Sequence, residues 1–129
     1  MVIIAFEWVE NRPTVLQNRD DPESWIVNAA AWIGNGHSLA GLGNPNGGTW
    51  MGCSREGRAA FLLDSIPWPR HPTSRIENLT LEFLKGKHTP DQFTEYVIHR
   101  QNGGLALHLV VADIFGTNSL VYICKKNEG

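Results

Sequence analysis

Short runs of apolar residues broken by polar turns dominate the first half of the chain, which is the pattern of β-strands. Residues Val2–Val9 are rich in β-branched and aromatic side chains, and the polar segment 10–13 ends this run. Such a composition predicts a buried first strand, and residues 14–17 predict its return strand. We therefore expect an N-terminal hairpin, followed by a further short strand over residues 28–33.

Residues 34–48 are rich in glycine and asparagine, which predicts a long loop. A second hairpin is predicted over residues 49–63 with its turn at 54–57, because Gly57 supplies the positive φ that such a turn needs. Closely spaced prolines then predict an irregular connection, since proline cannot donate a backbone hydrogen bond. These prolines are Pro67, Pro69 and Pro72.

Two amphipathic helices are predicted next. Ser74 and Glu77 match a capping box at the start of the first helix. In the second, Thr89 is the predicted N-cap and Pro90 the first helical residue, and the glycines at 103–104 end the helix. The spacing predicts a buried face on each helix. These faces consist of Ile76, Leu79, Phe83 and Leu84 in the first helix, and of Phe93, Tyr96, Val97 and Arg100 in the second.

A last hairpin is predicted over residues 105–125, with its turn at 116–118. The order of strands, then helices, then strands predicts an α+β fold with antiparallel pairing. We find no internal repeat and no change of composition along the chain, so residues 1–129 are predicted to form a single domain.

The composition favours a soluble globular protein and argues against a nucleic-acid-binding or membrane-spanning one. Hydrophobic residues make up 42% of the chain and charged residues 19%, which is typical of a soluble globular protein. The net charge of -2 gives no basic surface that would attract nucleic acid, and no apolar run is long enough to span a membrane. Cys53 and Cys124 have no second cysteine or histidine at zinc-ligand spacing, so we expect reduced thiols in a cytoplasmic protein.

Three motifs in order resemble those of one known family. Asn18, Arg19 and Asp20 follow an apolar strand. Residues 47–52 read Gly-Gly-Thr-Trp-Met-Gly and are followed by Gly-Arg-Ala-Ala-Phe at 57–61. The third motif consists of Ser74-Arg75, Phe83-Leu84 and the strand residues 121–123. The three motifs are similar to those of the transport and Golgi organisation protein 2 family, also called the NRDE family, and to its plant-like branch in particular. One departure is Asp21, where the family motif has Glu.

The resemblance implies the four-layer αββα sandwich of N-terminal nucleophile hydrolases, of which this chain would be the N-terminal half. Half of such a sandwich leaves a sheet edge or face uncovered, which predicts self-association. The family pattern places Cys after the initiating Met, whereas this chain has Val2, which has neither thiol nor hydroxyl. No catalytic residue is therefore predicted.

The same resemblance implies a ligand site. Arg19 would hold an anionic group and Asp20 would orient an amine, although the same residues are common in plain surface turns. Glycines at 47–48 would bring backbone N–H groups close to an anion, although such pairs more often only allow a tight turn. Trp50 is expected to pack in the sandwich or to form a platform for the ligand. The predicted ligand-binding set is Asn18, Arg19, Asp20, Gly47, Gly48, Thr49 and Trp50.

The family has been linked to the movement of haem inside cells, so the resemblance implies haem as a cargo. It implies no required cofactor. It also leaves open an association with mitochondria or the Golgi. No Cys-x-x-Cys-His or Cys-Pro haem motif is present. A lone histidine in a strand or helix more often has a structural role than a ligating one. The candidate axial ligands are His37, His71, His88, His99 and His108.

Three functions follow from these expectations. The first is a non-catalytic haem carrier, chaperone or trafficking protein, with Arg19 and residues 47–50 near its pocket. The second is an N-terminal nucleophile amidohydrolase, which would need Cys at the position of Val2. The third is a structural or secretory-pathway protein that acts through contacts with other proteins.

Overall fold

The computed structural model describes residues 2–10, 12–19, 29–42, 48–66, 76–100 and 106–126. Within them the chain forms two antiparallel sheets and two helices. The strands are β1 (Val2–Val9), β2 (Arg12–Arg19), β3 (Ala31–Ile33), β4 (Ser38–Ala40), β5 (Met51–Ser54), β6 (Arg58–Ile66), β7 (Ala106–Asp113) and β8 (Ser119–Lys125), and the helices are α1 (Ile76–Lys85) and α2 (Pro90–His99).

Six of the strands form one antiparallel sheet in the order β3-β4-β5-β6-β7-β8, so each strand pairs with its neighbour in sequence. Both helices lie in the connection from β6 to β7. The other two strands, β1 and β2, form a separate two-stranded sheet. The predicted α+β class with antiparallel pairing is confirmed, while the four-layer αββα sandwich stays a prediction.

The N-terminal hairpin is longer than the sequence pattern indicated. Its return strand runs from Arg12 to Arg19 rather than over 14–17, and it includes Pro13 opposite Trp8. A proline is tolerated there because β2 pairs with β1 alone among the described strands, so no ladder bond on its other side is lost. Glu10 adopts a left-handed φ of 48°, as a tight hairpin turn requires.

The predicted loop over 34–48 is wrong in part, because β4 lies within it. This strand pairs with β3 on one side and with β5 on the other. Its three residues are too few to show a strand pattern in sequence, and pairing on both sides stabilises them. Gly34, Asn35 and Gly36, with φ of 58°, 57° and 78°, form the turn from β3. The predicted strand over 28–33 begins only at Ala31.

The second and third predicted hairpins are confirmed, with small changes of length. Gly57 has φ of 80° in the turn between β5 and β6, as predicted. Strand β6 continues to Ile66 through a register shift between Leu62 and Asp64. Pairing with β7 resumes beyond this β-bulge, with Ile66 opposite Ala106, so the strand extends past the predicted end at residue 63.

Both helices are confirmed. Thr89 accepts a hydrogen bond from the backbone N–H of Gln92, whose side chain in turn accepts one from the backbone N–H of Thr89, so the N-cap is a capping box. Ser74 of the predicted capping box lies outside the described residues, so the box stays a prediction. Helix α2 ends at His99, earlier than predicted.

Lys125 caps the C-terminal end of α2. Its Nζ donates to the carbonyl oxygens of Ile98 and Arg100 at 3.1 and 2.6 Å. A cation at these carbonyls satisfies acceptors that have no partner inside the helix and complements the helix dipole. The contact comes from β8, so nothing near the helix in sequence reveals it.

The helices cover one face of the six-stranded sheet, and the buried residues there form one core. Its members are Ala60, Leu62, Leu79, Phe83, Leu84, Phe93, Val97, Leu107, Leu109, Val111 and Ile123. The β1–β2 hairpin covers the opposite face, over Ala59, Phe61, Val110 and Ala112. The predicted buried face of α2 is wrong for Tyr96, which is 39% exposed because its hydroxyl reaches out to donate to Glu82.

Candidate functional site

A cleft lies between the β1–β2 hairpin and the face of the six-stranded sheet that it covers; we call it the hairpin cleft. Because successive strand residues point to opposite faces, the pairings between strands set which side chains form its floor. Cys53 lies opposite Leu39 on one side and Ala59 on the other, and Ala59 in turn lies opposite Ala112. Two alanines in the middle of this row leave the space that larger side chains would fill.

The hairpin forms the roof of the cleft. Ile4, Trp8 and Val15 pack against the sheet, and Phe6 lies beside them but remains 52% exposed. Gln17 fixes the hairpin to the sheet, since its side-chain amide donates to the carbonyl oxygen of Leu62 at 3.0 Å, next to the β-bulge. The hairpin is therefore anchored to the sheet at Gln17, and the cleft is open to solvent beside Phe6.

The cavity that remains has a volume of about 310 Å³. This lies at the lower end of the range of drug-sized ligand sites, so a larger ligand would extend beyond the cavity. Among the described residues, the lining includes no charged side chain, and the heteroatom-bearing side chains in it are those of Met51 and Cys53. The lining residues are Phe6, Pro13, Val15, Ala30, Leu39, Gly41, Met51, Gly52, Cys53, Ala59, Phe61, Ala112, Ile114 and Leu120.

The side chain of Arg55 lies near the β3 end of the row of residues that includes Leu39, Cys53, Ala59 and Ala112. Trp32 lies opposite Leu39, so it shares the cleft face of the sheet. The guanidinium carbon of Arg55 lies 3.9 Å from the centre of the Trp32 ring, and Arg55 Nε donates to the carbonyl oxygen of Gly36 at 2.6 Å. Trp32, which shares the cleft face of the sheet, therefore carries a cation on its ring, although neither residue lines the cavity.

Of the first predicted site motif, the structure describes the side chain of Asn18 alone, and it lies away from the cleft floor. Asn18 is an exposed residue of β2 opposite Ile3, on the hairpin face that points away from the sheet. Arg19 is the last residue of β2. Asp20 lies outside the described residues. Asn18 does not line the cavity.

The second predicted motif precedes β5. Gly48 and Thr49 are buried, and the Thr49 hydroxyl lies 2.8 Å from the Gly41 carbonyl oxygen and 2.9 Å from that of Met51, which indicates a structural role. Trp50 packs against the core on the helix side of the sheet, as the packing alternative predicted. None of these three lines the cavity, and Gly47 lies outside the described residues.

No histidine lines the cavity within the described part of the chain. His88 stacks on Tyr96 with ring centres 5.8 Å apart, and His99 contacts the Glu95 backbone near the end of α2. His108 faces the hairpin side of the sheet and stacks on Tyr122, whose hydroxyl it contacts. His71 is not described.

His37 belongs to an arrangement that resembles a hydrolase triad. Its Nδ1 lies 2.8 Å from Ser38 Oγ, and its Nε2 lies 3.6 Å from Glu56 Oε2. Ser38 is fully buried, however, at 0% exposure. A nucleophile must reach its substrate, so this arrangement stabilises the β3–β4 turn rather than providing catalysis.

The most buried charge of the described residues, Arg58, also has a structural role. Its guanidinium donates to the carbonyl oxygens of Phe83 and His88 at 2.9 and 2.7 Å and lies 3.9 Å from Asp113 Oδ2. Burial lowers the pKa of Arg58, and the negative charge of Asp113 opposes that shift. Arg58 thereby satisfies acceptors at the end of α1 and before α2.

Sequence reasoning missed the residues that line the cleft. Cys53 is not among the predicted ligand-binding residues, and both cysteines are free and exposed in the structure. Alternation along β5 places Met51 and Cys53 on one face, and this signal is visible in sequence. What it does not reveal is which face the hairpin covers.

Two searches of the described ranges complete the picture of the site. Neither helix found there is long and apolar enough to cross a membrane. No three side chains of the types His, Cys, Asp or Glu come together there in an arrangement that would hold a metal ion.

The fold and the cleft define the chain as an α+β protein with an apolar pocket between two antiparallel β-sheets. The family model for Transport and Golgi organisation 2 matches residues 1–129, the whole length of the chain. The chain therefore belongs to the Transport and Golgi organisation 2 family, as the sequence motifs predicted. No curated protein matches it as a relative.

Proposed function

We propose that the chain is a non-catalytic carrier of haem and that the hairpin cleft is its binding site. The observation that supports this most directly is the cavity lining, which offers hydrocarbon groups, one thioether and one thiol. An apolar cavity with few polar groups is the usual form of a site for a hydrophobic ligand. The trafficking role implied by membership of the family agrees with a carrier.

The chemistry of the lining fits haem. A porphyrin presents two large apolar faces and a central iron that accepts sulfur ligands, and its propionates are anionic. The cavity is small, so the propionate edge would project beyond it. Arg55 is held beside Trp32 at one end of the row and would attract these carboxylates.

The amidohydrolase alternative has less support in the described residues. Cys53 has no histidine beside it in the cavity lining, and Ser38 is fully buried beside His37. Covalent hydrolysis needs a nucleophile with both a base and access to substrate. These arrangements favour binding over turnover.

The test is a hemin titration that follows the Soret absorption band of the folded chain. We expect a saturable spectral change in the wild type and a much weaker one in Ala59→Leu, because the added side chain fills the cleft floor. Ala5→Leu is the matched control, since Ala5 is exposed on the hairpin. Thermal unfolding checks that both variants fold.

The proposal fails if the folded wild type shows no saturable change. The assignment to the hairpin cleft fails if Ala59→Leu binds hemin as well as Ala5→Leu does. Arg19→Ala, titrated alongside, tests the separate prediction from the sequence that Arg19 contributes to the site.

A further inference from the structure

We infer that β8 is an interaction edge, at which the six-stranded sheet pairs with the β8 strand of a second copy of the chain. The inference goes beyond the proposed function, because it depends on no ligand. It starts from the position of β8, which is the last strand of the sheet and pairs with β7 alone among the described strands. Alternate backbone N–H and C=O groups on its other side therefore have no strand partner there.

The β8 edge lacks the features that usually prevent pairing between sheets. Natural edge strands are protected by charged residues, prolines, bulges or short length. Residues 119–124 include no charged residue and no proline, and β8 pairs with β7 over all 7 of its residues without a register shift. An uncharged segment of this length with high β propensity pairs readily with copies of itself.

The charged residue of β8 is Lys125, and its charge is used within the chain. Its Nζ donates to the carbonyl oxygens of Ile98 and Arg100 at the end of α2, so it is not set against an approaching strand. Beside this contact the side chain of Ile98 is 46% exposed. Apolar surface thus continues from the open edge onto the neighbouring helix.

The other described strands with a free side are better protected. At the opposite end of the sheet, β3 has only 3 residues. In the hairpin, β1 includes the charged Glu7, and β2 includes Pro13 between charged ends at Arg12 and Arg19. The long uncharged edge of β8 is therefore the one that favours pairing.

The sequence of β8 is complementary to itself in antiparallel pairing. A two-fold axis through Tyr122 would place apolar residues opposite apolar residues on both faces and would keep the two lysines apart. Parallel pairing in register would instead set Lys125 beside Lys125 of the second copy. In the antiparallel arrangement Tyr122 meets itself, Val121 meets Ile123, Leu120 meets Cys124, and Ser119 meets Lys125.

The experiment measures the average mass of the folded chain by sedimentation from about 1 µM to about 1 mM, since so short an edge makes a small and weak interface. We expect the wild type to pass from one chain to two across this range. Tyr122→Lys should associate at least about tenfold more weakly, because two like charges would meet on the axis. Leu16→Lys is the matched control, since Leu16 is 71% exposed but lies on the hairpin, and it should associate like the wild type.

An equimolar mixture of Tyr122→Lys and Tyr122→Glu chains tests the symmetry. Each variant alone sets like charges opposite each other, whereas a mixed pair sets Lys opposite Glu. We expect the mixture to associate more tightly than either variant alone. Only a pairing in which position 122 meets itself gives this recovery.

The inference is overturned if the wild type stays a single chain over the whole range, or if Leu16→Lys is the variant that dissociates. It is also overturned if the mixture shows no recovery. Tyr122 is 54% exposed, so its replacement should leave the fold intact, and thermal unfolding of each variant checks this. Hemin is absent from these measurements, so their outcome is separate from that of the proposed function.

Discussion

The two faces of the six-stranded sheet are covered in different ways. On the helix face, Leu62, Phe83 and Phe93 are at most 1% exposed, and the two phenylalanine rings meet edge to face with centres 5.1 Å apart. On the hairpin face, Phe6 and Met51 remain 52% and 47% exposed beside a cavity. The sheet is the same, so the difference comes from what covers it.

Two helices pack wide apolar faces against their side of the sheet, and the buried Arg58 joins them to the sheet. A two-stranded hairpin is narrower than the six strands that it covers, so part of the floor stays open. We infer that most of the packing free energy lies on the helix face. The hairpin face is thereby left free to serve as a ligand site.

The largest expected effect comes from Phe83→Ala on the helix face. Phe83 is fully buried, so removing its ring leaves a cavity in close-packed surroundings. We expect the free energy of unfolding to fall by about 3–5 kcal/mol. Urea denaturation followed by tryptophan fluorescence measures this loss.

The matched change on the hairpin face is Phe6→Ala. Its ring is half exposed and already borders a cavity, so we expect a loss of only about 1 kcal/mol. Equal losses for the two phenylalanines would show that the faces are equally well packed and would break the comparison.

Arg58→Met should have the second largest effect, after Phe83→Ala. It leaves the carbonyl oxygens of Phe83 and His88 without their charged donor, while the methionine retains much of the side-chain volume. We expect a loss of about 2–4 kcal/mol in urea denaturation, because buried acceptors without partners are costly. Arg58→Lys should recover little of it, since one ammonium group does not reproduce the fork geometry of the guanidinium.

Arg55→Met is the corresponding change on the cleft side. Arg55 is exposed, so its hydrogen bond to Gly36 and its contact with Trp32 are expected to contribute about 0.5 kcal/mol or less. A loss comparable with that of Arg58→Met would show that polar contacts on the cleft side stabilise the fold as strongly as those on the helix side.

Thr89→Ala tests the helix side at its surface. The change removes the side-chain acceptor of the capping box at the start of α2, so we expect thermal denaturation to show a loss of about 1 kcal/mol. Thr94→Ala is the control within the same helix, because the Thr94 hydroxyl only donates back to the carbonyl oxygen of Pro90. That variant should be neutral or slightly more stable, since alanine is the better helix former.

The smallest expected effect is a pH dependence between the two helices. Partial burial, and then the hydrogen bond donated to Glu82, raise the pKa of Tyr96 above its ordinary value of 10.0. A raised pKa means that the folded state favours the neutral phenol. The stabilising contribution of Tyr96 is therefore complete below pH 10 and is lost as pH rises through the folded-state pKa.

Denaturation of Tyr96→Phe and wild type at pH 8 to 11 measures this dependence, with the pH range set around the ordinary tyrosine value. We expect the difference in stability between the two proteins to shrink as pH rises. A constant difference across this range would show that ionisation of Tyr96 is not linked to folding.

Local pattern determined much of the secondary structure of this protein. A high content of β-branched and aromatic residues predicted β1, and Gly57 predicted the turn between β5 and β6, because a tight turn depends on a few residues. The N-cap at Thr89 followed from the same kind of local chemistry. The motifs also indicated the family, which the match over residues 1–129 confirmed.

Tertiary structure decided the rest. Strand β4 exists because β3 and β5 pair with it on both sides, and α2 ends where Lys125 of β8 reaches its last carbonyls. The cleft likewise depends on which face of the sheet the hairpin covers. Side chains far apart in sequence meet there, and no local pattern encodes a distance between them, which is why the lining of the cavity could not be predicted from the sequence.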